Sequence, residues 1–436
     1  MKRYGWLLGC CLFLSIGMLW AADEPDLRML QQKAAQSRDM EGYVGVCKYL
    51  YQTEENPELL LLYADSIHQL ATKSKKPEQL VEYYIWASEG NFIKGDFQQG
   101  YALKRKAIAL AEKAGLKFAI SQSCCDMGYY CNVDARYDSA RYYFRKGLEA
   151  GEDLSEAGEA CRTMLTNYAS SFLFEGKTDS ALVYTIRASE RSAADKDTAM
   201  LIENLNQLGT IYRRKKNLED CIANFEEALH LCELCGNYNT VAFIYGNIAT
   251  AYCDWNRPVD AIPFSEKAVE YALKTGNKRR IGTCYVNLGA IQIRLVQMRA
   301  EGIATLLKAI PILEEVNDRR LLCDAYNYLV NAYRMDGNLN QAMYYLQKLD
   351  KLAHEMQTDA ERFRYYQAKA GLLQESKNYT EAIVYYRRMI DMLRSGYKDT
   401  RDYEHYKRLA DCYLAVNNSS QAYEYLTQAY ALRDSA

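Results

Sequence analysis

One spacing constrains this chain more than any other feature. Small residues recur at Ser88, Gly128, Ala169, Gly209, Ala249, Gly289, Ala370 and Ala410, with Val330 in the same register, and successive positions lie 40 or 41 residues apart. The anchors have company. In the fullest units an apolar or aromatic residue stands four before, an aromatic three after, and alanines twelve and nineteen after, as Tyr245, Tyr252, Ala261 and Ala268 stand about Ala249. Nine such units in a chain of 436 residues leave little room for unrelated globular domains. A period of this size means a solenoid, in which each unit buries its apolar face against its neighbours.

Each unit reads as two helices. Apolar residues three and four apart stack on one face of the first, and the small anchor lets the second approach closely. Ala140, Ala181, Ala261, Ala342, Ala382 and Ala422 recur where the second helix meets the first. Gly176-Lys177, Lys216-Asn217, Asn256-Arg257-Pro258, Gly337-Asn338, Lys377-Asn378 and Asn417-Asn418 fall where the two helices part, and Gly236-Asn237 and Gly276-Asn277 close second helices. Only six prolines and 24 glycines occur, which suits long helices. Pro263 and Pro311 fall inside expected helices and predict kinks or breaks. Ala309 is one residue late and Glu301-Gly302 replaces an alanine, which predicts a bulge in that unit.

These units resemble the tetratricopeptide repeat in its lengthened form of about forty residues, as in kinesin light chain and bacterial peptide-sensing regulators. The resemblance covers residues 77–436 and implies an all-α, right-handed superhelical solenoid of antiparallel helix pairs. Before residue 77 the pattern fades. Leu27 to Tyr51 and Pro57 to Thr72 still read as helices, the second capped by Asn56, and residues 23–76 are read as divergent capping repeats.

The first 22 residues read as a secretory leader: Lys2 and Arg3, then an apolar stretch from Trp6 to Trp20, then Ala21-Ala22 before Asp23-Glu24. The expected location is therefore exported, periplasmic or envelope-associated, in a bacterium. The leader is either cut near Ala22 or kept as an anchor. Leu7-Leu8-Gly9-Cys10 looks like a lipoprotein box, but most of the apolar stretch follows Cys10, so no lipid is expected there. Past the leader nothing is apolar enough to span a membrane. The formal charge is −2, falling by two more without Lys2 and Arg3, and no Lys- and Arg-rich run offers nucleic acid a footprint.

Reactive chemistry finds no foothold. Fourteen cysteines occur, and Cys124, Cys131 and Cys221 follow the repeat and read as small core residues. Cys232 and Cys235 form a CxxC on a helix, without a second pair or a preceding strand, so neither zinc nor thioredoxin-like chemistry is expected. A disulfide among Cys124, Cys125 and Cys131 stays open for an exported chain. His68, His230, His354 and His405 stand in separate units, and no phosphate loop, nucleophile elbow or paired-histidine motif occurs. No catalytic residue, metal or cofactor is assigned. The 38 tyrosines mostly follow the period: Tyr245, Tyr285, Tyr326, Tyr366 and Tyr406 share one position, Tyr212, Tyr252, Tyr333 and Tyr413 another.

One polar column remains. Two residues before successive anchors stand Asp126, Asn167, Gln207, Asn247 and Asn287, until Tyr328 ends the series. The resemblance implies that this face of the first helix lines the groove and that such amides hold an extended peptide by its main chain, for an amide both donates and accepts. Ser170 and Phe174, Thr210 and Arg214, Thr250 and Asp254, and Ala290 and Arg294 share the face. Arg214 and Arg294, with Arg334, suit an acidic group through forked bonds. The peptide-binding candidates are thus Asn167, Gln207, Asn247, Asn287, Arg214 and Arg294. The bland alternative is that the amides only keep the groove wet. The function expected is an exported scaffold or receptor for a protein or peptide; the alternatives are the sensing half of a transcription regulator or sensor kinase, and an enzyme or thiol redox protein, for which no residue argues.

Overall fold

The computed structural model of the chain describes residues 27–53, 56–356, 358–397, 399 and 402–434. The expected leader, with Cys10 and the cut near Ala22, lies outside them. Among the described residues the regular elements are all helical. The chain divides into two compact units, Met1–Asn237 and Tyr238–Ala436. The first unit opens with α1 (Leu27–Ser37), α2 (Met40–Thr53) and α3 (Pro57–Ser74). Four antiparallel pairs follow: α4 (Pro77–Lys94) with α5 (Phe97–Ala114), α6 (Lys117–Val133) with α7 (Tyr137–Gly151), α8 (Gly158–Phe174) with α9 (Thr178–Ala194), and α10 (Thr198–Arg214) with α11 (Leu218–Leu234). The second unit holds five pairs: α12 (Tyr238–Asp254) with α13 (Pro258–Thr275), α14 (Lys278–Gln292) with α15 (Arg299–Glu315), α16 (Arg319–Met335) with α17 (Leu339–Leu352), α18 (Asp359–Glu375) with α19 (Tyr379–Arg394), and α20 (Asp402–Ala415) with α21 (Ser419–Asp434).

The forty-residue period has a local cause. Helices α10 and α11 are 17 residues each, and a three-residue turn follows each. In the turn after α10, Lys216 takes a left-handed φ of 57°, and the Asn217 N–H donates back to the Tyr212 carbonyl at 3.0 Å. The Asn217 side chain then accepts the Asp220 N–H at 3.2 Å and caps the next helix. Gly337-Asn338, Lys377-Asn378 and Asn417-Asn418 repeat this arrangement. The dipeptides that punctuate the sequence are thus one left-handed residue followed by one side-chain cap.

Three local expectations are corrected. Leu27 to Tyr51 is two helices, because Arg38 turns left-handed at φ 48° and Asp39 accepts the Gly42 N–H at 2.8 Å, capping a new start. Helices α13 and α15 run unbroken through Pro263 and Pro311, both of which face solvent, where water can serve the carbonyls that lose an N–H partner. The extra residue near Gly289 makes no bulge inside α15. It lengthens the turn before it, where Val296–Met298 forms a 3-10 turn.

All nine anchors are buried. What fills the space beside them is the residue sixteen further on. A Cβ added to Gly128 would come within 2.4 Å of the Phe144 ring, and one on Gly209 within 2.6 Å of Phe225. At Gly289, with its inserted residue, the partner is Leu306, at 2.7 Å. The alanine anchors Ala169 and Ala249 instead have Thr185 and Ser265 at the equivalent place, both buried. Two larger anchors keep large partners all the same, Val330 with Leu346 and Ala370 with Tyr386, both buried.

Aromatic rings reinforce each pair. The ring fifteen after the anchor stacks on the one three after it: Phe172 with Tyr184 at 5.4 Å, Tyr252 with Phe264 at 5.3 Å, Tyr333 with Tyr345 at 5.7 Å and Tyr413 with Tyr425 at 5.6 Å. A cation eighteen after the anchor covers the tyrosine four before it, as Lys106 covers Tyr84, Lys267 covers Tyr245, Lys348 covers Tyr326 and Arg388 covers Tyr366. Each such contact contributes about 0.5–1 kcal/mol at an exposed site.

Volume exchange at the anchor makes a testable outcome. Gly209→Ala is expected to destabilise the native chain by about 1–3 kcal/mol through overpacking against Phe225. In a Phe225→Ser background, which copies the Ala249 and Ser265 pair, the same change is expected to stabilise by up to about 1 kcal/mol, since alanine is the better helix former. Denaturant melts of the four proteins read the sign, and equal costs in both backgrounds would refute the packing account.

Candidate functional site

The groove-facing side chains of the first helices follow one geometry but meet different fates in the two units. In the first unit Gln207 and Arg214 are bonded to the protein itself. Asn167 is buried, and its main-chain carbonyl accepts Nδ2 of Asn132 at 3.0 Å. Gln207 donates through Nε2 to Ser170 Oγ at 2.7 Å and accepts Thr185 Oγ1 at 3.3 Å. Beneath it, Thr166 Oγ1 donates to Asn204 Oδ1 at 2.9 Å and Asn204 Nδ2 donates to Ser192 Oγ at 3.1 Å. Arg214 Nη1 donates to the Leu173 carbonyl at 2.7 Å, capping the end of α8. At Asp126, where the column starts, buried Lys104 bridges Asp126 at 2.9 Å and Glu89, and the Tyr130 hydroxyl donates to Glu89 at 2.7 Å.

In the second unit the same face opens into a cavity of about 670 Å³, walled by α12, α14, α16, α18 and α20. Asn287 and Arg294 both line it, and both are exposed. Asn247, half-buried on α12, does not line it, although Thr250, Cys253 and Asp254 of the same helix do. A second recess of about 350 Å³ shares Tyr328, Asn331 and Gln367 with the first. The sequence-based candidates are therefore divided: the side chains of Gln207 and Arg214 are engaged inside the first unit and Asn167 is buried there, Asn247 lies outside the cavity, and Asn287 and Arg294 face it in the second unit.

Several polar groups of this cavity lack a protein partner. Asn287, Arg294, Gln367 and the Tyr328 hydroxyl make no hydrogen bond or ion pair among the described residues. Asn331 donates to Asn327 through Nδ2 at 3.0 Å, which leaves its carbonyl oxygen open. Arg334 pairs with Glu375 through Nη1, yet its buried Nε has no acceptor. None of Asn287, Arg294, Tyr328, Asn331 and Gln367 is fully buried, so solvent serves their open positions in the free protein. Burial raises the Tyr328 hydroxyl's pKa and keeps it a donor. Buried His405 stands 3.6 Å from Asp399 and edge-on to Phe363 at the far wall.

Tyr328, Asn331, Gln367 and Arg408 were not singled out from the sequence as ligand-facing. The signal was available for Asn331, which stands one after its anchor in the column of Ser170, Thr210, Thr250 and Ala290. Arg408 stands two before its anchor Ala410, in the column of Asn287 and Tyr328, whereas Gln367, three before Ala370, lies outside that column.

Elsewhere the thiols are muted. Cys124, Cys125 and Cys131 are free and buried, and burial pushes Cys124 up to about 12 and Cys131 to about 11. Cys232 is buried and Cys235 exposed. No group of three or more His, Cys, Asp or Glu side chains among the described residues is placed to hold a metal ion, and no helix among them is long and apolar enough to cross a membrane.

Residues 200–274 match the tetratricopeptide repeat family. No curated protein matches the sequence. Among solved structures, a signal transduction ATPase with numerous domains from Pyrococcus horikoshii, described as having a tetratricopeptide repeat sensor, is similar with a TM-score of 0.54 at 16% identity. That alignment covers 86% of this chain and 52% of the other, so this chain spans about half the length of that protein. Yeast Tom70 is similar with a TM-score of 0.52 and 16% identity, over 84% of this chain and 69% of its own. At such identity the likeness is one of fold.

The contrast between bonded and open amides can be measured without a ligand. Gln207→Leu is expected to destabilise the fold by about 1–3 kcal/mol, because Ser170 and Thr185 lose a partner. Gln367→Leu, which breaks no bond, is expected to stay within about 0.5 kcal/mol of the native chain. Matched denaturation curves decide it, and equal losses would show that the cavity amides are structural too.

Proposed function

We propose that this tetratricopeptide-repeat protein is an exported receptor or scaffold that holds an extended peptide, or an extended segment of a partner protein, in the cavity between α12 and α20. The observation that carries this reading is the convergence of open hydrogen-bonding groups, Asn287, Asn331, Gln367 and Tyr328, on one face of successive first helices. Amides repeated along a track suit the evenly spaced donors and acceptors of a peptide main chain. The cavity volume of about 670 Å³ falls in the range of ligand sites, roughly 300–1,000 Å³. The thiol that lines it, Cys253, has its pKa raised by burial, and His405 is buried against Phe363 and Asp399.

Photo-crosslinking tests the location. A photoreactive amino acid placed at Gln367 is expected to capture peptide from envelope extracts, whereas the same group at Tyr344, which is 49% exposed on the second helix α17, is expected to capture little. Capture at Tyr344 equal to or above that at Gln367 would move the binding surface to the second helices.

Export rests on the leader-like residues 1–22 alone and has its own check. Mass spectrometry of the protein purified from its native cell is expected to show a chain beginning near Ala22 or Asp23, without lipid on Cys10. A full-length chain with Met1 in a soluble cytoplasmic fraction would contradict it.

A further inference from the structure

Side chains at five places in a pair reach the pair that follows. On the first helix these places lie three before the anchor, one after it and four after it. Thr166 Oγ1 donates to Asn204 at 2.9 Å, Ser170 Oγ accepts from Gln207 at 2.7 Å, and Asn132 Nδ2 donates to the Asn167 carbonyl at 3.0 Å. On the second helix they lie thirteen and twenty after the anchor. Tyr101 donates to the Tyr130 carbonyl at 2.9 Å, Arg141 pairs with Glu175 at 2.7 Å, and Ile390 is buried in one core with Tyr406 and Leu409. In the last pair, α20 and α21, the same places hold Lys407, Asp411, Leu414, Tyr423 and Tyr430, and all of them are exposed. No helix among the described residues covers them. Tyr423 is 74% exposed and Tyr430 47%, where Ile390 is 1% exposed. Lys407 and Asp411 make no hydrogen bond or ion pair among the described residues.

This face is also complementary to itself. Lys407 and Asp411 are centred on Leu409, and Tyr423 and Tyr430 on the level between Leu426 and Thr427. The residue sixteen after an anchor packs beside it, as Phe225 does at Gly209, so Ala410 lies level with Leu426 and Leu409 with Thr427. The two centres therefore agree to about half a residue, under about 1 Å along the helices. A two-fold axis at that level, lying in the face and across both helices, sets α20 antiparallel on a second α20 and α21 on a second α21. Each Lys407 then meets an Asp411, and each Tyr423 meets a Tyr430. A contact between identical copies requires one surface to carry both members of every pair, which this face does. Helices of 14 and 16 residues give a face of about 20 by 20 Å, and two such faces bury on the order of 1,000 Å². That is the low end for specific interfaces and fits a reversible dimer rather than an obligate one.

We propose that the outer face of α20 and α21 is where two copies of the chain associate, end to end about a two-fold axis, with reciprocal Lys407–Asp411 ion pairs flanking contacts between Tyr423 and Tyr430. The contact continues the packing of each pair on the next, with a second copy in the place of a further pair. It stands apart from the peptide-binding reading, because none of these side chains lines the cavity.

Sedimentation equilibrium of the full chain over a range of concentrations is expected to show a monomer in equilibrium with a dimer. Lys407→Asp and Asp411→Lys each set like charges against one another across the axis, and each is expected to weaken dimerisation about tenfold or more. An equal mixture of the two variants is expected to recover it as a heterodimer, since every aspartate then meets a lysine, and so is the double variant carrying both changes. Neither change is expected to lower the melting temperature, because neither side chain has a partner to lose within the chain. A chain that stays monomeric into the hundreds of micromolar overturns the inference and leaves these residues as a soluble end to the array. A dimer that both variants leave intact, or one lost in both and recovered in neither the mixture nor the double variant, overturns it as well.

Discussion

The structure depends on one contact: the approach of the second helix of each pair to the small residue on the first. Where that residue is Gly128 or Gly209, a phenylalanine edge lies so close that no Cβ fits. Where a residue is inserted, Gly302 meets Gly289 backbone to backbone, its absent Cβ within 3.0 Å of the Gly289 carbonyl. A contact this tight fixes the rotation of the first helix about its own axis. That rotation decides which residues face the groove, so packing chemistry at the anchor sets the register of the side chains two before it and five after it.

Given this frame, the fate of the groove-facing residues is set by their neighbours rather than by their own type. Gln207 and Gln367 are both glutamines on first helices. The first finds Ser170 and Thr185 within reach, and the second finds open space. In the first unit Gln207 is bonded to the hydroxyls of Ser170 and Thr185, and Lys104 is neutralised between two carboxylates in the protein interior, where a lone charge would be costly. Polar groups that bind each other stabilise and stiffen a fold. Those left open by the packing are the ones available to a ligand.

Much of the architecture is legible in the sequence because it is written nine times. Helix pairs, anchors, aromatic stacks and turn dipeptides all follow from spacing, and a single deviant residue does not obscure them. The failures are local. The break at Arg38 and Asp39 falls in the divergent start, where no repeat supplies a comparison. The breaks expected at Pro263 and Pro311 do not occur, because periodicity alone does not weigh which helix face meets water. The site was half legible. The column through Asn287 and the residue Arg294 follow from register, but whether an amide is spent on a hydroxyl one repeat away depends on distances of an ångström. Spacing does not carry that information, and so Asn167 and Asn287 look alike in the sequence while one is buried and the other lines a cavity.

The central claim is that groove-facing side chains are bonded to the protein at Gln207 and Arg214 in the first unit and left open to a ligand at Asn287, Arg294 and Gln367 in the second. Hydrogen–deuterium exchange of the full chain, with and without a peptide captured at Gln367, measures this directly. The account predicts that slowed exchange on binding is concentrated in Lys278–Gln292, Arg319–Met335 and Asp359–Glu375. Protection confined to Gly158–Phe174 and Thr198–Arg214, around Asn167 and Gln207, or to the second helices, would contradict it.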